Sequence, residues 1–300
     1  MKLIPQREAD VVHVRARQAT KIRLLDFDTL VVEIGHGVVA FFHYIRELWQ
    51  RRMLVRVLAA RELKSTYEMN IVGFAWWLLE PLSMAAVYYV LIGILSNRLA
   101  GDKTLFLSIL VSLLSFKWLS QSLIGSMGVV RANSSLVTDV YFPRALLPFT
   151  QLVVGMAHFG VGLLTVPIFM LLLGVGVSTT LIWLPVVMAV QFLFMLGLAY
   201  PLSVWGLTFR NLPNLMSNIL RLWFYLSPGL YALSTVPAGR ARTLMRFNPL
   251  TGIFEGYRGA VITQRAPDWT LAWTAFIGFV VVVFGGWYFT RREPHFGKLL

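Results

Sequence analysis

The chain has 300 residues, of which 57% are hydrophobic and only 14% are charged, and its formal net charge is +13. Soluble domains carry about 25% charged residues, so this composition excludes an ordinary soluble protein and predicts an all-α integral membrane protein. The positive charge does not indicate nucleic-acid binding, because 12 of the 27 lysines and arginines lie in the first 70 residues. There they precede the first long apolar run, where anionic lipid headgroups attract them.

The N-terminal part of the sequence predicts two regions ahead of the first membrane span. Residues 1–37 mix charges with short apolar runs and predict a cytoplasmic extension, without the apolar core of a cleavable signal peptide. Residues 38–66 carry aromatic side chains on one helical face and arginines on the other, which is typical of a helix lying in the membrane interface. The two faces include Phe41 and Trp49 opposite Arg46, Arg51, Arg52 and Arg56. An amphipathic helix packed on a soluble subunit is the alternative.

Six apolar runs predict six transmembrane helices, because each reaches or exceeds the ~20 residues that cross a bilayer. They cover approximately residues 71–95, 105–127, 145–175, 181–209, 215–233 and 269–290, the fourth interrupted by Pro185 and Pro201 and the fifth by Pro228-Gly229. Basic residues concentrate beside the first run, in the second and fourth loops and in the C-terminal tail, which favours both termini inside the cell. The segment 235–268 disagrees, because it is predicted outside and yet contains five arginines.

The second loop, residues 131–144, is a short polar segment between two apolar runs. Asn133, Ser134 and Ser135 offer helix-capping side chains, and Pro143 prevents a helix from continuing. We expect a short, kinked helix at the membrane surface, longer than a simple connection requires. Both a docking site and a plain interfacial loop fit this pattern.

Residues 248–263 form a half-apolar, glycine-rich piece that is too short and too polar to cross a membrane. An Asn248-Pro249 turn opens it. We expect a re-entrant or interfacial helix, which is tolerated only where protein or water covers its backbone. The two halves of the chain show no internal repeat, which weakens the case for an inverted-repeat secondary transporter.

Three charged residues, Glu80, Lys117 and Arg221, fall inside apolar runs, where a charge costs at least ~2.5–3.5 kcal/mol on insertion scales. Such residues indicate a functional site, although Lys117 and Arg221 can also snorkel to an interface. Aromatic rings with polar tips can line a path for sugars, while lipid and helix packing is the simpler reading. The candidate channel residues are Glu80, Tyr88, Trp118, Trp223, Tyr225 and Tyr231.

The sequence contains no phosphate-binding loop of the G-x-x-x-x-G-K-[ST] type and no recognisable hydrolase motif. We therefore expect this chain not to be an enzyme and to bind no cofactor of its own. Uphill transport would then draw on an ion gradient or on another subunit. Glu80 is the single acid inside a predicted span, which favours a separate motor over an ion-coupled carrier.

Three motifs resemble the membrane subunit of ABC-2 type ABC transporters, in the branch that exports O-antigen, capsular, teichoic-acid and related polysaccharides. They are RELKSTYEMNIVGFAWWLLEP at Arg61–Pro81, VYFPR at Val140–Arg144 and NPLTGIFEGYR at Asn248–Arg258. Their order and spacing cover most of the chain from about residue 50 onward. The chain departs from many relatives at Thr138-Asp139, where those proteins carry a basic residue just before the second motif.

The resemblance implies a permease whose six-helix domain, residues 67–300, works as a homodimer with two copies of a cytoplasmic ATPase. ATP and Mg would bind to that partner. The implied cargo is a polysaccharide on a polyprenyl-diphosphate lipid, moved across the bacterial cytoplasmic (inner) membrane with both termini in the cytoplasm. A drug or lipid exporter of the same superfamily and an ion-coupled secondary transporter are the alternatives.

The resemblance also implies roles for individual residues. It makes the loop 131–144 a coupling helix against the ATPase, through Asn133, Leu136, Asp139, Tyr141, Phe142 and Arg144. It makes the interfacial helix a gating or docking element, through the aromatic residues and arginines named above. It makes residues 248–263 a re-entrant element on the outer side, through Asn248, Pro249, Glu255 and Arg258.

Overall fold

The computed structural model describes residues 52–68, 71–95, 103–139 and 142–299. Within these ranges the chain is helical and contains no β-strand, as the composition predicted. The α-helices are α1 (Arg52–Glu68), α2 (Ile71–Leu95), α3 (Lys103–Ala132), α4 (Ser134–Asp139), α5 (Leu146–Leu163), α6 (Thr165–Leu173), α7 (Leu184–Thr208), α8 (Leu212–Leu226), α9 (Arg240–Phe247), α10 (Pro249–Arg258), α11 (Trp269–Arg292) and α12 (Phe296–Leu299). The predicted extension 1–37 and positions 38–51 of the predicted interfacial helix lie outside the described residues.

Four helical segments of the described residues are long and apolar enough to cross a membrane. They are Thr104–Ala132, Leu146–Leu173, Thr179–Thr208 and Trp269–His295. These segments correspond to the second, third, fourth and sixth predicted spans. The first predicted span is helical as α2, and the part of it whose side chains the structure describes, Leu78–Ile94, is apolar.

The fifth predicted span differs from the structure in its length. Helix α8 has 15 residues and ends at Leu226, not near Leu233. Pro228 follows two residues later and has no backbone N–H to continue the helical bonding. At ~1.5 Å per residue, 15 residues measure about 22 Å, which is shorter than the ~30 Å hydrocarbon core of a bilayer. The helix therefore ends just before the predicted interruption at Pro228-Gly229, and α8 alone is shorter than a complete membrane span.

The proline inside the fourth predicted span does not end its helix. Pro201 was expected to interrupt the fourth span, but α7 continues through it as one helix. Because Pro201 cannot bond the carbonyl four residues earlier, the Gly197 oxygen is free to face α11. A Cβ on Gly285 would lie 2.3 Å from that oxygen, so only glycine permits this close approach of α7 and α11. Small residues of this kind let helices pack tightly in membranes.

Helix α3 is the centre of the bundle and packs against α2, α5, α7, α8 and α10. Its contact with α7 includes a buried polar clamp. The Ser115 hydroxyl donates to the Gln191 side-chain oxygen at 3.0 Å, and the Gln191 amide donates back to the Ser115 carbonyl at 2.9 Å. Interhelical hydrogen bonds of this type contribute about 0.6 kcal/mol each in membrane proteins, and they fix the register of the two helices.

Hydrogen bonds identify which helix ends lie together. At one end, Arg144 at the start of α5 bonds to Glu293 just after α11, and Arg131 at the end of α3 bonds to the Leu207 carbonyl of α7. We call this the loop end, because it carries residues 131–144. At the far end, Arg258 of α10 bonds to Ser108 near the start of α3. The second loop and the C-terminal segment therefore lie on the same side, as the charge distribution predicted.

Candidate functional site

A polar groove of about 410 Å³ runs between α2, α3 and α8. It contains all three charges that the sequence placed inside apolar runs. Its hydrogen-bonding side chains are those of Glu80, Tyr88, Lys117, Ser120, Gln121, Ser217, Arg221 and Tyr225. Polar groups at membrane depth are costly, and a cluster of them in one groove indicates function.

An ion pair crosses the groove from α2 to α3. The Lys117 Nζ lies 2.6 Å from Glu80 Oε2, and the Lys117 side chain is only 11% exposed, against 51% for Glu80. Lys117 therefore pairs inside the protein and does not snorkel to an interface. The pairing reduces the cost of burying the amine, while one side of the carboxylate stays open to the groove. Glu80 precedes Pro81 within α2, and its carbonyl accepts a hydrogen bond from Ser83 at 2.9 Å.

Aromatic side chains form the rest of the groove wall. The hydroxyls of Tyr88 and Tyr225 share a hydrogen bond of 2.7 Å, which connects α2 to α8. Phe116 of α3 stacks on Phe224 of α8 with ring centroids 4.5 Å apart. Aromatic faces next to amide, hydroxyl and charged groups can stack on the apolar faces of a sugar and also hydrogen-bond its hydroxyls. The sequence did not single out Phe116, Gln121 or Ser217, because isolated positions of these types carry no motif.

The remaining predicted channel residues lie elsewhere. Trp118 is 1% exposed, stacks on Phe159 and donates to the Leu152 carbonyl, so it packs inside the helix bundle and does not line this groove. Trp223 donates from Nε1 to Asn248 Oδ1 at 3.1 Å. Tyr231 lines a separate cavity of about 380 Å³ at the far end of the bundle. The structure thus brings Glu80, Tyr88 and Tyr225 together and separates them from the other three.

Residues 248–263 form a compact element at the far end. Asn248 caps α10 by accepting the Leu250 N–H on its side-chain oxygen at 3.1 Å, and its amide donates to the Ser227 hydroxyl at 2.7 Å. Pro249 occupies the first helical position, where its missing N–H has no cost. A π-helical turn, Gly259–Thr263, follows α10. The element is short and largely buried, as the sequence predicted.

Arg258 makes the largest number of hydrogen bonds described in this element, and its side chain is buried, with 2% exposed. Its guanidinium has five N–H donors, and each has an acceptor. The acceptors are the hydroxyls of Ser108 and Ser112, the carbonyls of Pro228 and Gly229, and the Glu255 carboxylate. The same Glu255 oxygen also accepts the Leu233 N–H at 2.9 Å. One side chain therefore joins α3, α10 and the turn after α8.

Serines on α3 are the partners that sequence reasoning missed. Ser108 and Ser112 are spaced by four residues and therefore share one helical face. The spacing was visible in the sequence, but its relation to an arginine 150 residues later was not. The pattern could be interpreted only after α10 was known to return to the start of α3.

At the loop end, Arg144 joins the start of α5 to the C-terminal segment. Its Nη1 donates to the Glu293 carbonyl at 2.6 Å and its backbone N–H donates to Glu293 Oε1 at 2.9 Å. Its Nη2 lies 3.4 Å from the Val137 carbonyl of α4, and its guanidinium lies 6.0 Å from the ring of Phe296. The Arg144 side chain therefore connects α4 to the segment that follows α11.

The other predicted coupling residues lie around the same short helix. Asn133 forms the turn between α3 and α4, and its side-chain amide donates to the Val129 carbonyl at 2.8 Å. Leu136 is half-buried and Phe142 is only 5% exposed, so both face the protein more than a partner. Tyr141 and the side chain of Asp139 lie outside the described residues.

The described part of the predicted interfacial helix is α1. Val55 and Ala59 are buried on the side that packs against α5, while Arg52 and Arg56 are exposed, as the faces of the pattern predicted. A notch of about 210 Å³ separates α1 from the ends of α3 and α5, beside Asn133. Phe41, Arg46, Trp49 and Arg51 lie outside the described residues.

Comparison with known proteins gives the family. The model of the ABC-2 type transporter family matches residues 53–262. The chain belongs to the ABC-2 type transporter family. This ABC-2 chain is also 34% identical over 229 residues to a Myxococcus xanthus protein named O-antigen export system permease protein RfbA, covering 75% of this chain and 86% of that one. Two Klebsiella pneumoniae proteins of the same name are 24% and 26% identical, each covering 82% of this chain and 95% of their own length.

These matches confirm the resemblance drawn from the three motifs, to an ABC-2 permease of the polysaccharide-export branch. The matched family region begins within α1 and ends within the π-helical turn after α10, so it includes the groove, the loop end and the Arg258 cluster. Residues 1–52 and 263–300, which include α11, Glu293 and α12, lie outside that region.

Proposed function

We propose that this ABC-2 chain is the transmembrane subunit of an ATP-driven exporter of a polysaccharide carried on a polyprenyl diphosphate. The observation that supports it most is the 34% identity to an O-antigen export permease over 75% of the chain. The chain itself binds no nucleotide in this proposal. ATP and Mg bind to a separate cytoplasmic ATPase, present in two copies.

The loop end is the proposed ATPase contact. Helix α4 lies between α3 and α5 in the chain, and Arg144 connects it to the segment after α11. The notch beside α1 gives this end a concave surface with both a cation and an anion, Arg61 and Glu62. Closure of the ATPase would push on α4, and the Arg144–Glu293 connection would transmit that push to the membrane helices.

The groove is the proposed cargo surface, and a second copy of the chain is proposed to complete it. Large apolar side chains next to the groove are exposed on both α2 and α8, including Val87 at 60%, Ile94 at 62% and Leu222 at 63%. A homodimer joined through α2 and α8 would cover these residues and enclose Glu80, Tyr88, Arg221 and Tyr225. Aromatic stacking with few fixed charges suits a long, sliding glycan better than a tightly held ion.

The proposed topology has six membrane passages in the bacterial cytoplasmic (inner) membrane, with both termini in the cytoplasm. Helix α8 is too short to cross alone, so the fifth passage is completed by the turn at 227–231, with α10 beside it as the re-entrant element. The placement of the loop end and the C-terminal segment on one side supports this arrangement.

Transport in vesicles tests the proposal. Inverted inner-membrane vesicles containing this chain and an ABC ATPase of a polysaccharide exporter from the same organism are supplied with radiolabelled lipid-linked glycan. We expect uptake that requires ATP hydrolysis and is lost with a hydrolysis-deficient ATPase. Uptake driven by a proton gradient without ATP would contradict the proposal, and ATP-driven movement of lipid but not of glycan would assign the chain to another ABC-2 exporter type.

A further inference from the structure

Helix α9 carries a concentration of positive charge that the transport path does not use. Its eight residues, Arg240–Phe247, include Arg240, Arg242 and Arg246 and no acidic residue. These arginines belong to the segment whose charge contradicts an external location by the positive-inside rule. The positive-inside rule therefore does not explain the three arginines of α9, and another reason for their positive charge is needed.

The arginines of α9 form no ion pair within the described part of the chain. The two acidic residues described near this end are Glu255, which pairs with Arg258, and Asp268, which forms no ion pair with α9. Arg242 and Arg246 are one turn apart on a half-buried side of the helix, and Arg242 Nε is buried without a hydrogen-bond partner. Like charges at this spacing repel each other. An anion bound between them would remove both the repulsion and the unpaired donor.

The neighbouring side chains place α9 at the depth of lipid headgroups. Phe247 contacts the rings of Trp269 and Trp273 edge-on, with centroids 5.8 and 5.7 Å away, and Trp273 donates to the Phe247 carbonyl at 2.9 Å. Trp269 is the first residue of the apolar helix α11 and is 48% exposed. Tryptophans at the end of a spanning helix typically lie at the membrane–water interface.

The exposed side of α9 carries two large apolar side chains. Leu244 is 73% exposed and Phe247 is 50% exposed, one turn apart on the same face, which also presents Arg240 and Thr243. A short helix with exposed Leu and Phe, flanked by arginines and adjoining an aromatic belt, is the pattern of an element that lies on a membrane surface with its apolar face in the acyl boundary. Charge complementarity then selects anionic headgroups, whose phosphates arginine binds well.

We infer that α9 is a binding site for anionic phospholipid, with Arg240, Arg242 and Arg246 on headgroup phosphates and Leu244 and Phe247 in the acyl boundary. The site anchors the re-entrant element, because α9 leads directly into Asn248 and the cap of α10. The proposed topology puts α9 on the outer side of the membrane, so the choice of the outer leaflet rests on the proposed function. The binding of anionic lipid to α9 does not rest on it.

Lipid retention on the purified full chain tests this inference. The chain in detergent is mixed with phosphatidylglycerol or phosphatidylcholine, and bound lipid is counted by native mass spectrometry. We expect preferential retention of phosphatidylglycerol, which falls about fivefold per arginine removed, the factor that corresponds to ~1 kcal/mol per basic residue at a membrane surface. The variant Arg240→Gln/Arg242→Gln/Arg246→Gln should lose the preference, and the matched control Arg210→Gln, an exposed arginine at the other end, should keep it.

Additional measurements distinguish a phospholipid site from a site for a small soluble anion. Substitution of all three arginines by Lys should retain most of the preference, and 1 M salt should weaken the preference of the unmodified chain even if the Gln variant does not fold. An unchanged preference in a folded Gln variant would overturn the inference, as would displacement of the lipid by soluble glycerol phosphate at equal concentration, which would indicate a simple anion site. The assay needs no ATPase and no glycan, so its failure would leave the transport proposal intact and a failed transport assay would leave this site intact.

Discussion

Replacement of Arg258 by Met should destabilise the far end of the bundle more than any other single change to a charged residue there. The substitution leaves the Glu255 carboxylate, two serine hydroxyls and the carbonyls of Pro228 and Gly229 without their donor. Breaking a buried ion pair costs about 3–5 kcal/mol. Because Glu255 is 27% exposed and can recover some solvation, we take the lower part of that range, a loss of about 3 kcal/mol in the free energy of unfolding.

Equilibrium unfolding in mixed SDS and dodecyl maltoside micelles, followed by tryptophan fluorescence, measures this loss. Arg258→Lys keeps the charge but has three donors in place of five, so we expect a loss between that of the Met variant and zero. Arg265→Gln, an exposed arginine in the same segment, is the matched control and should change stability by less than about 0.5 kcal/mol. If the free energy of unfolding of the Met variant is within 1 kcal/mol of that of the unmodified chain, the reasoning that Arg258 stabilises the contact of three elements is refuted.

Three further predictions follow from distances in the bundle. In a double-mutant cycle of Glu80→Gln and Lys117→Met, the coupling free energy of unfolding should be about 1 kcal/mol, since the half-exposed carboxylate is partly screened; additive effects would mean that the pair contributes nothing. Gly206→Ala places a Cβ 2.0 Å from a carbonyl of α3 and should cost at least 1–3 kcal/mol, whereas Gly160→Ala, with nothing within 4 Å, should stabilise the helix by ~0.5–1 kcal/mol. Arg144→Ala should lower the amount of glycan exported per ATP hydrolysed while leaving the hydrolysis rate of the complex near normal, and a proportional fall in both would argue against a role in transmission.

Local chemistry explains which features could be predicted from the sequence. The short helix at 134–139 follows from capping residues and Pro143, and the α10 cap follows from Asn248-Pro249, because these signals act within one turn of the chain. The pairing of Glu80 with Lys117 could not be identified from the sequence, since the cost of an isolated charge in lipid demands some compensation but does not identify the partner.

Features that depend on long-range packing could not be predicted. The interruption of the fifth predicted span at Pro228 was visible in the sequence, but the hydrogen bonds from Arg258 to the carbonyls at 228 and 229 were not, because that arginine lies about 30 residues later. Trp118 was a candidate channel residue because an aromatic ring with a polar tip can line a path for sugars, but the direction of its side chain depends on packing, and Trp118 points into the helix bundle.

The central claim is that residues 131–144 couple this ABC-2 permease to an ATPase, and co-purification tests it most directly. The tagged chain is expressed in its own host, extracted in mild detergent and assayed for bound ATPase activity. Residues 133–143 are replaced by a Gly/Ser linker of the same length. In the control, residues 234–239 at the opposite end are replaced by a Gly/Ser linker of their own length. The account predicts that the first replacement removes the ATPase from the eluate and the second does not. Retention of an active ATPase by the chain without 133–143 would contradict it.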